Sequence, residues 1–298
     1  MRRLPGSDLC SIWYALVSLF HAPPSRTTGE CVVLRLEFLQ KIIDYLKEIV
    51  YYLWYNIGME KGSLALVTGG AQRLGRIFAL TMAQHGYAIL LHYHRSTEAA
   101  TSTADEIRSL GVPVYPVEAD LSDAAQIQGL FSRLDSLNLP LKVLINSAAR
   151  MKQADLRIVS AENWDATLNL NLRAPFQLAQ RAAERMQEGS LIINVTDAGV
   201  GKTWSGFPDY LVSKSGLETL TRLQAKTYAP KIRVNAIAPG LVLPSSEISF
   251  DKWEKLVSRL PLKHPVSTDE LANALEYLLK NKSITGQTIF VDGGYSLT

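Results

Sequence analysis

From Ser63 onward the chain alternates between two hydrophobic patterns. Short, nearly unbroken apolar runs occupy residues 64–68, 87–92, 112–117, 141–146, 191–196, 233–238 and 288–291. Their length and β-branched content predict strands buried on both faces. Longer segments lie between them, with apolar residues recurring every three to four positions. These predict helices over 74–85, 97–110, 162–186 and 208–228, and one more from the Asp120-Leu121-Ser122-Asp123 cap to Leu137. Pro175 falls inside the 162–186 segment and predicts a bend there. Alternation of strand and helix predicts βαβ units and a mostly parallel sheet with helices on both faces. Residues 239–268 read as a long irregular stretch, of the kind that covers active sites.

The first 58 residues break this pattern. Arg2 and Arg3 precede an apolar stretch over 9–22, superficially like a secretory signal. Asp8 before it and His21-Ala22-Pro23-Pro24 at its end fit a signal poorly. No apolar run reaches the ~18 residues that span a bilayer. Residues 34–57 are helical in pattern and rich in aromatics, with Phe38, Ile42, Tyr45, Leu46, Val50 and Leu53. One reading is an amphipathic helix for an interface, a partner or an oligomer. The other is that translation starts at Met59, a natural opening for the domain that follows. The expected division is an extension over 1–58 and one α/β domain over 59–298.

Composition narrows the class. At 298 residues, 47% hydrophobic and 20% charged, the chain suits one large domain with an appendage. A net charge of +3 without a Lys/Arg block argues against a nucleic-acid surface. Both cysteines, Cys10 and Cys31, precede the domain, so it has no disulfide framework, and a reducing compartment, the cytoplasm, is expected. No cysteine or histidine spacing suggests a metal site.

The turn from the first strand to its helix reads Thr68-Gly69-Gly70-Ala71-Gln72-Arg73-Leu74-Gly75. Glycines there permit a tight turn and close approach of backbone to a pyrophosphate, which the helix N-terminus attracts. This is a single Rossmann-type doubly wound sheet of about seven strands. The end of the second strand selects the cofactor. An NAD site wants an acid for the ribose hydroxyls, whereas this chain has His92-Tyr93-His94-Arg95-Ser96. Arg95 and Ser96, with Arg73 near, suit a 2′-phosphate, so NADP(H) is expected. Asp120 can accept from adenine or cap a helix, and Arg95 can equally be a solvated surface residue.

Tyr210 and Lys214 stand at i and i+4 on one helix face. A free tyrosine, with pKa about 10, is a poor acid–base catalyst at neutral pH, and a neighbouring ammonium is expected to lower it.

Together, residues 68–75, Asn171 within 169–176, 210–214, 234–240 and 291–294 resemble the short-chain dehydrogenase/reductase family. The resemblance runs from Ser63 to the C-terminus. Residues 91–96, the ending Val291–Thr298 and Arg73 look like the pteridine reductases in particular, and so does Asp197, where the wider family has a serine. An ionised carboxylate cannot polarise a carbonyl by donation, but it suits the N–H groups of a pterin. Asp197 can equally cap the turn after its strand. The resemblance implies NADPH-dependent reduction of dihydropterins, or of dihydrofolate, by Tyr210, Lys214 and Asp197, with Asn171 holding a proton-relay water through a kinked helix. It implies cofactor contacts at Gly69, Arg73, Leu74, Gly75, His94, Arg95, Ser96, Asp120, Leu121, Asn146, Lys214, Pro239 and Gly240. Arg73, Met151, Trp204 and Phe207 are candidate substrate contacts, the last two also readable as loop anchors. Met151 stands where pteridine reductases have a stacking phenylalanine, and the end of the fourth strand, Asn146-Ser147-Ala148-Ala149, departs from the family. Rival readings are a 3-oxoacyl thioester or small-ketone reductase, and a non-catalytic NADP(H)-binding regulator. A homotetramer is expected.

A chain beginning at Met59 is expected to fold and to keep full activity. Loss of solubility or of assembly on removing residues 1–58 would instead make the extension structural.

Overall fold

The computed structural model describes residues 62–244 and 249–298. The extension over 1–58, and with it the domain boundary expected at Met59, lies outside the described residues. Seven parallel strands form one sheet. In chain order they are β1 (Leu64–Thr68), β2 (Ala88–Tyr93), β3 (Val114–Glu118), β4 (Leu141–Asn146), β5 (Ser190–Val195), β6 (Ile232–Pro239) and β7 (Thr288–Val291). Their order across the sheet is β3-β2-β1-β4-β5-β6-β7. β1 and β5 are buried along their whole length, as continuous apolar runs demand of a sheet covered on both faces. Pro116, which cannot donate to a ladder, sits in the edge strand β3.

Alternate residues of each strand feed two cores. Ala65, Val67, Ile145 and Ile193 pack with Phe78, Met82, Ile107, Leu271, Leu275 and Leu278. Those side chains come from α1 (Arg73–Gln84), α2 (Thr97–Ser109) and α8 (Thr268–Lys280). On the other face Leu64, Leu66, Leu144 and Ile192 meet Ile127, Leu130, Phe131, Leu178 and Ala182, from α3 (Ala124–Ser136) and α5 (Ala174–Arg185). The doubly wound α/β architecture is therefore as expected, with one core per face. Among the described residues no helix is long and apolar enough to cross a membrane.

Three local expectations change. The single helix expected over 162–186 is α4 (Ala161–Leu168), a π turn (Asn169–Arg173) and α5. The irregularity is the turn just before Pro175, whose ring excludes the carbonyl of Asn171 four residues back and whose missing N–H cannot bond to it, so the expected distortion appears as a π turn in a continuous helical run. The stretch over 239–268 contains a further helix, α7 (Phe250–Val257), capped by the side chain of Ser249 accepting from Lys252 N. Residues 245–248 lie outside the described residues. Helix α8 was not foreseen, although Ser267 and Glu270 form a full capping box at its start.

The turn between β1 and α1 is packed to its limit. Gly69 has φ +62, and a Cβ on Gly75 would lie 2.0 Å from Gly69 O. Gly75→Ala is therefore expected to destabilise the fold by about 1–3 kcal/mol, the usual range for overpacking, as measured by denaturant titration.

Candidate active site

The sheet reverses its winding between β1 and β4, and ligand crevices of open α/β sheets form at such a point. Here a cleft of about 480 Å³ opens, lined by Gly69, Arg73, Leu74, Gly75, His94, Arg95, Ser96, Asp120, Leu121, Asp197, Tyr210, Lys214, Pro239 and Gly240. Residues that the sequence scatters over 172 positions thus share one wall, because the C-terminal ends of parallel strands all face the same way.

At one end, α1 begins without a side-chain cap from Gln72, leaving its first-turn amides for an anion. Thr68 Oγ1 accepts from Ser147 N at 3.0 Å and Ala148 N at 3.1 Å, which ties the two halves of the cleft floor together. Beyond β2, Arg95 is exposed at the rim, and His94 Nε2 stands 3.8 Å from Asp120 Oδ2. The hydroxyl of Ser122 beside Asp120 is the first cause holding that carboxyl below its ordinary range. The cleft thus presents basic and hydroxyl groups at its β2 rim, and no carboxylate follows β2 before Glu98. Arg73 is turned elsewhere. At φ +50 its guanidinium donates to Leu243 O at 2.9 Å and Pro244 O at 3.1 Å, bridging to the loop after β6.

At the other end stands α6 (Pro208–Tyr228), which buries both Tyr210 and Lys214. Tyr210 Oη donates to Asp197 Oδ2 at 2.7 Å, and Gly199 N donates to Asp197 Oδ1 at 2.7 Å. Asp197 therefore caps the turn Ala198–Gly201, as one of its sequence readings expected, and holds the tyrosine with its second oxygen. Burial pushes the Asp197 carboxyl up, against those two bonds and the charge of Lys214. The expectation of a lysine-lowered tyrosine needs correction. Burial, followed by the Asp197 charge, raises Tyr210 well above its ordinary value. Lys214 Nζ instead donates to Val195 O at 2.6 Å and lies 5.8 Å from the Tyr210 ring. Burial also lowers Lys214, to about 8. The site thus holds a neutral tyrosine donor against a carboxyl, with an ammonium behind.

Asn171 is fully buried in the π turn. It accepts from Arg150 N at 2.8 Å and donates to Ser213 Oγ at 3.1 Å, and Ser213 Oγ donates to Tyr210 O at 2.7 Å. It therefore braces α6 from behind. Asn146, at the end of β4, donates its side-chain amide to Asn194 Oδ1 at 2.8 Å, which leaves its backbone as the part that can face the cleft. Met151 is 48% exposed and lies outside the cleft wall. Trp204 and Phe207 pack on each other at 6.2 Å, and Trp204 lines a separate hollow with Gln153, Leu156 and Arg157. Trp204 also covers Gly199, where a Cβ would meet its ring at 2.3 Å, so it backs the Asp197 turn. Two residues of this region had drawn no expectation. Tyr295 stacks on Trp204 at 5.8 Å and is pushed up to about 12, by burial first and then by the charge of Asp197. Lys202 Nζ sits 3.7 Å over the Tyr295 ring. The signal for Tyr295 lay in the C-terminal motif of residues 291–298; Lys202, in the loop after β5, had none. Among the described residues no group of His, Cys, Asp and Glu could hold a metal ion.

Comparison with known proteins agrees with this geometry. The family model described as Enoyl-(Acyl carrier protein) reductase matches residues 69–296. The chain is 31% identical over 243 residues to 3-oxoacyl-[acyl-carrier-protein] reductase FabG of Staphylococcus aureus, covering 79% of this chain and 99% of that protein. FolM Alternative dihydrofolate reductase 1 from Brucella canis, solved with NADP, superposes with a TM-score of 0.76 at 33% identity, over 80% of this chain and 96% of that one. Landomycin C-6 ketoreductase LanV, solved with NADP and rabelomycin, gives a TM-score of 0.74 at 27% identity, over 81% and 99%. Similarity along the whole α/β domain, with Tyr210 and Lys214 on the helix that follows β5 and facing the cleft, places the chain in the short-chain dehydrogenase/reductase family.

Proposed function

We propose that the chain is an NADPH-dependent reductase of dihydropterins or dihydrofolate. The observation that carries this reading is the hydrogen bond from Tyr210 to the Asp197 carboxyl, where a hydroxyl would suit a ketone. Similarity to the Brucella alternative dihydrofolate reductase supports it. The NADP(H) part rests on the tight Gly69–Gly75 turn, the open α1 terminus and the basic rim of His94, Arg95 and Ser96, which fit a phosphorylated dinucleotide. The bound nucleotide would supply the hydride. The chain's own residues handle the proton. A buried Asp197 carboxyl binds ring N–H groups when ionised and can donate when protonated. Tyr210 Oη, 2.7 Å away, passes a proton between that carboxyl and the substrate nitrogen. Lys214 offsets the negative charge left behind and offers donors to the nicotinamide ribose. Asn171 resembles the family residue that holds a relay water; its side-chain amide is engaged with Arg150 and Ser213, so that role would fall to its backbone.

Reduction of a 3-oxoacyl thioester or small ketone is the second reading, favoured by the similarity to FabG and by the neutral Tyr210 donor. A regulator without chemistry has no use for the buried Tyr–Asp–Lys set. The assembly we propose is a cytoplasmic homotetramer, in which Val212 and Leu223 of α6 and Phe290 of β7, all exposed in the single chain, become covered.

Two measurements test these assignments. Arg95→Asp should abolish or reverse a preference for NADPH over NADH of about tenfold or more, the scale of a charge-assisted contact; equal kcat/KM with both cofactors in the wild type would refute it. Asp197→Ser should lower pterin reduction by about 10²-fold or more, the scale of a lost general acid, while leaving ketone reduction unchanged or improved. Wild-type pterin activity should also fall as pH rises, because the carboxyl must hold a proton. Burial moves that fall above the ordinary carboxylate range. In the serine variant this limb should vanish. An unmoved ratio of pterin to ketone activity would leave Asp197 as a turn cap only.

A further inference from the structure

The turn between β1 and α1 is held from beneath by a side chain that the proton chemistry does not use. His92, the fifth residue of β2, is 2% exposed. Gly69 N lies 3.1 Å from His92 Nδ1, and His92 Nε2 lies 2.9 Å from Ala119 O. A backbone N–H can only donate and a carbonyl can only accept, so these partners define the ring. It is neutral, with its proton on Nε2. Burial agrees with this, lowering His92 to about 4. The backbone of the same residue acts on the next position, since Gly70 N donates to His92 O at 2.9 Å. Two successive amides of the turn are thus taken up by one residue of β2. The amides left over are those of the first turn of α1, and their aim depends on Gly69, because Gly75 packs directly on Gly69 O.

We propose that His92 is a positioning residue for the cofactor. Its unprotonated Nδ1, by accepting from Gly69, sets the anion-binding turn, and the bond from Nε2 to Ala119 only orients the ring. An apolar residue here would leave Gly69 N–H and Ala119 C=O without these partners. The proposal rests on the NADP(H) reading of the cleft.

Two amide substitutions separate the two nitrogens. His92→Asn can put an acceptor near the Nδ1 position and cannot reach Ala119. His92→Gln can reach Ala119 with a donor and has no acceptor near Nδ1, although its volume is closer to that of histidine. The test measures NADPH affinity of the full-length chain by fluorescence, KM against kcat, and the imidazole 15N resonances of the wild type. His92→Gln is expected to weaken NADPH binding about tenfold or more, the scale of an unmet buried donor, and to act on the KM for NADPH more than on kcat. His92→Asn should stay within about threefold of wild type. The wild-type ring should show Nδ1 unprotonated. A role in packing alone would favour glutamine, so equal affinities, or the reverse order, would overturn the proposal, as would a proton on Nδ1. If neither variant folds, the wild-type tautomer decides. A wild-type chain that binds no NADPH would overturn the cofactor reading and this proposal with it; normal wild-type binding with the wrong variant order would overturn this proposal alone.

Discussion

The contact between β1 and β4 is the constraint on which the remaining geometry depends. These two strands neighbour each other in space although two βα units separate them in sequence, and the cleft exists because the connections leave their ends in opposite directions. One hydroxyl closes the gap. Thr68 Oγ1 donates to Ile145 O and accepts from the amides of Ser147 and Ala148. It satisfies backbone groups that the diverging chains would otherwise leave unpaired, at a place where no ladder can continue. The Gly69–Gly75 turn on one side and the loop after β4 on the other are built outward from that point. The depth of the turn is then set by glycines, because backbone must meet backbone there.

Desolvation governs the chemistry at the far end of the cleft. Tyr210 and Lys214 are buried and Asp197 is half-buried, and loss of water is the first cause of the shift at each. It disfavours the charged form of every member, so the carboxyl and the phenol rise while the ammonium falls. Charge attraction within the group opposes this only in part. The outcome is a phenol held in its neutral form beside a carboxyl raised above its ordinary range, with a lysine lowered to about 8. The supports are correspondingly rigid. Asn171 and Ser213 hold α6 from behind, and Trp204 closes over Gly199 to keep the Asp197 turn in register.

Much of this was legible in the chain. Continuous apolar runs marked β1, β4 and β5, because a strand covered on both faces has no polar side to expose. The bounds of α6 followed from Pro208 and from the helical spacing up to Tyr228. Less legible were features that depend on what lies opposite. The distortion around Pro175 was legible, but that it takes the form of a π turn at Asn169–Arg173 was not, since a π turn has no composition of its own. The α8 capping box was readable at Ser267 and Glu270 but was lost in an apparently irregular stretch. Met151 and Asn146 were read by likeness of position, which carries no information on side-chain partners: Met151 is largely exposed, and the Asn146 amide pairs with Asn194.

By itself the sequence determined the βαβ order, the glycine turn after β1, the basic stretch after β2 and the pairing of a tyrosine and a lysine on one helix face. All of these are local in character: they depend on period, on turn stereochemistry or on an i, i+4 spacing along one helix. The tertiary structure decided which charges are paired. Asp197 and Tyr210 are 13 residues apart, His92 and Gly69 are 23 apart, and Arg73 and Leu243 are 170 apart. A hydrogen bond between distant positions needs both backbones brought within about 3 Å with the right orientation. Only the packed sheet supplies that, and with it the burial that raises Tyr210 where the adjacent lysine alone was expected to lower it.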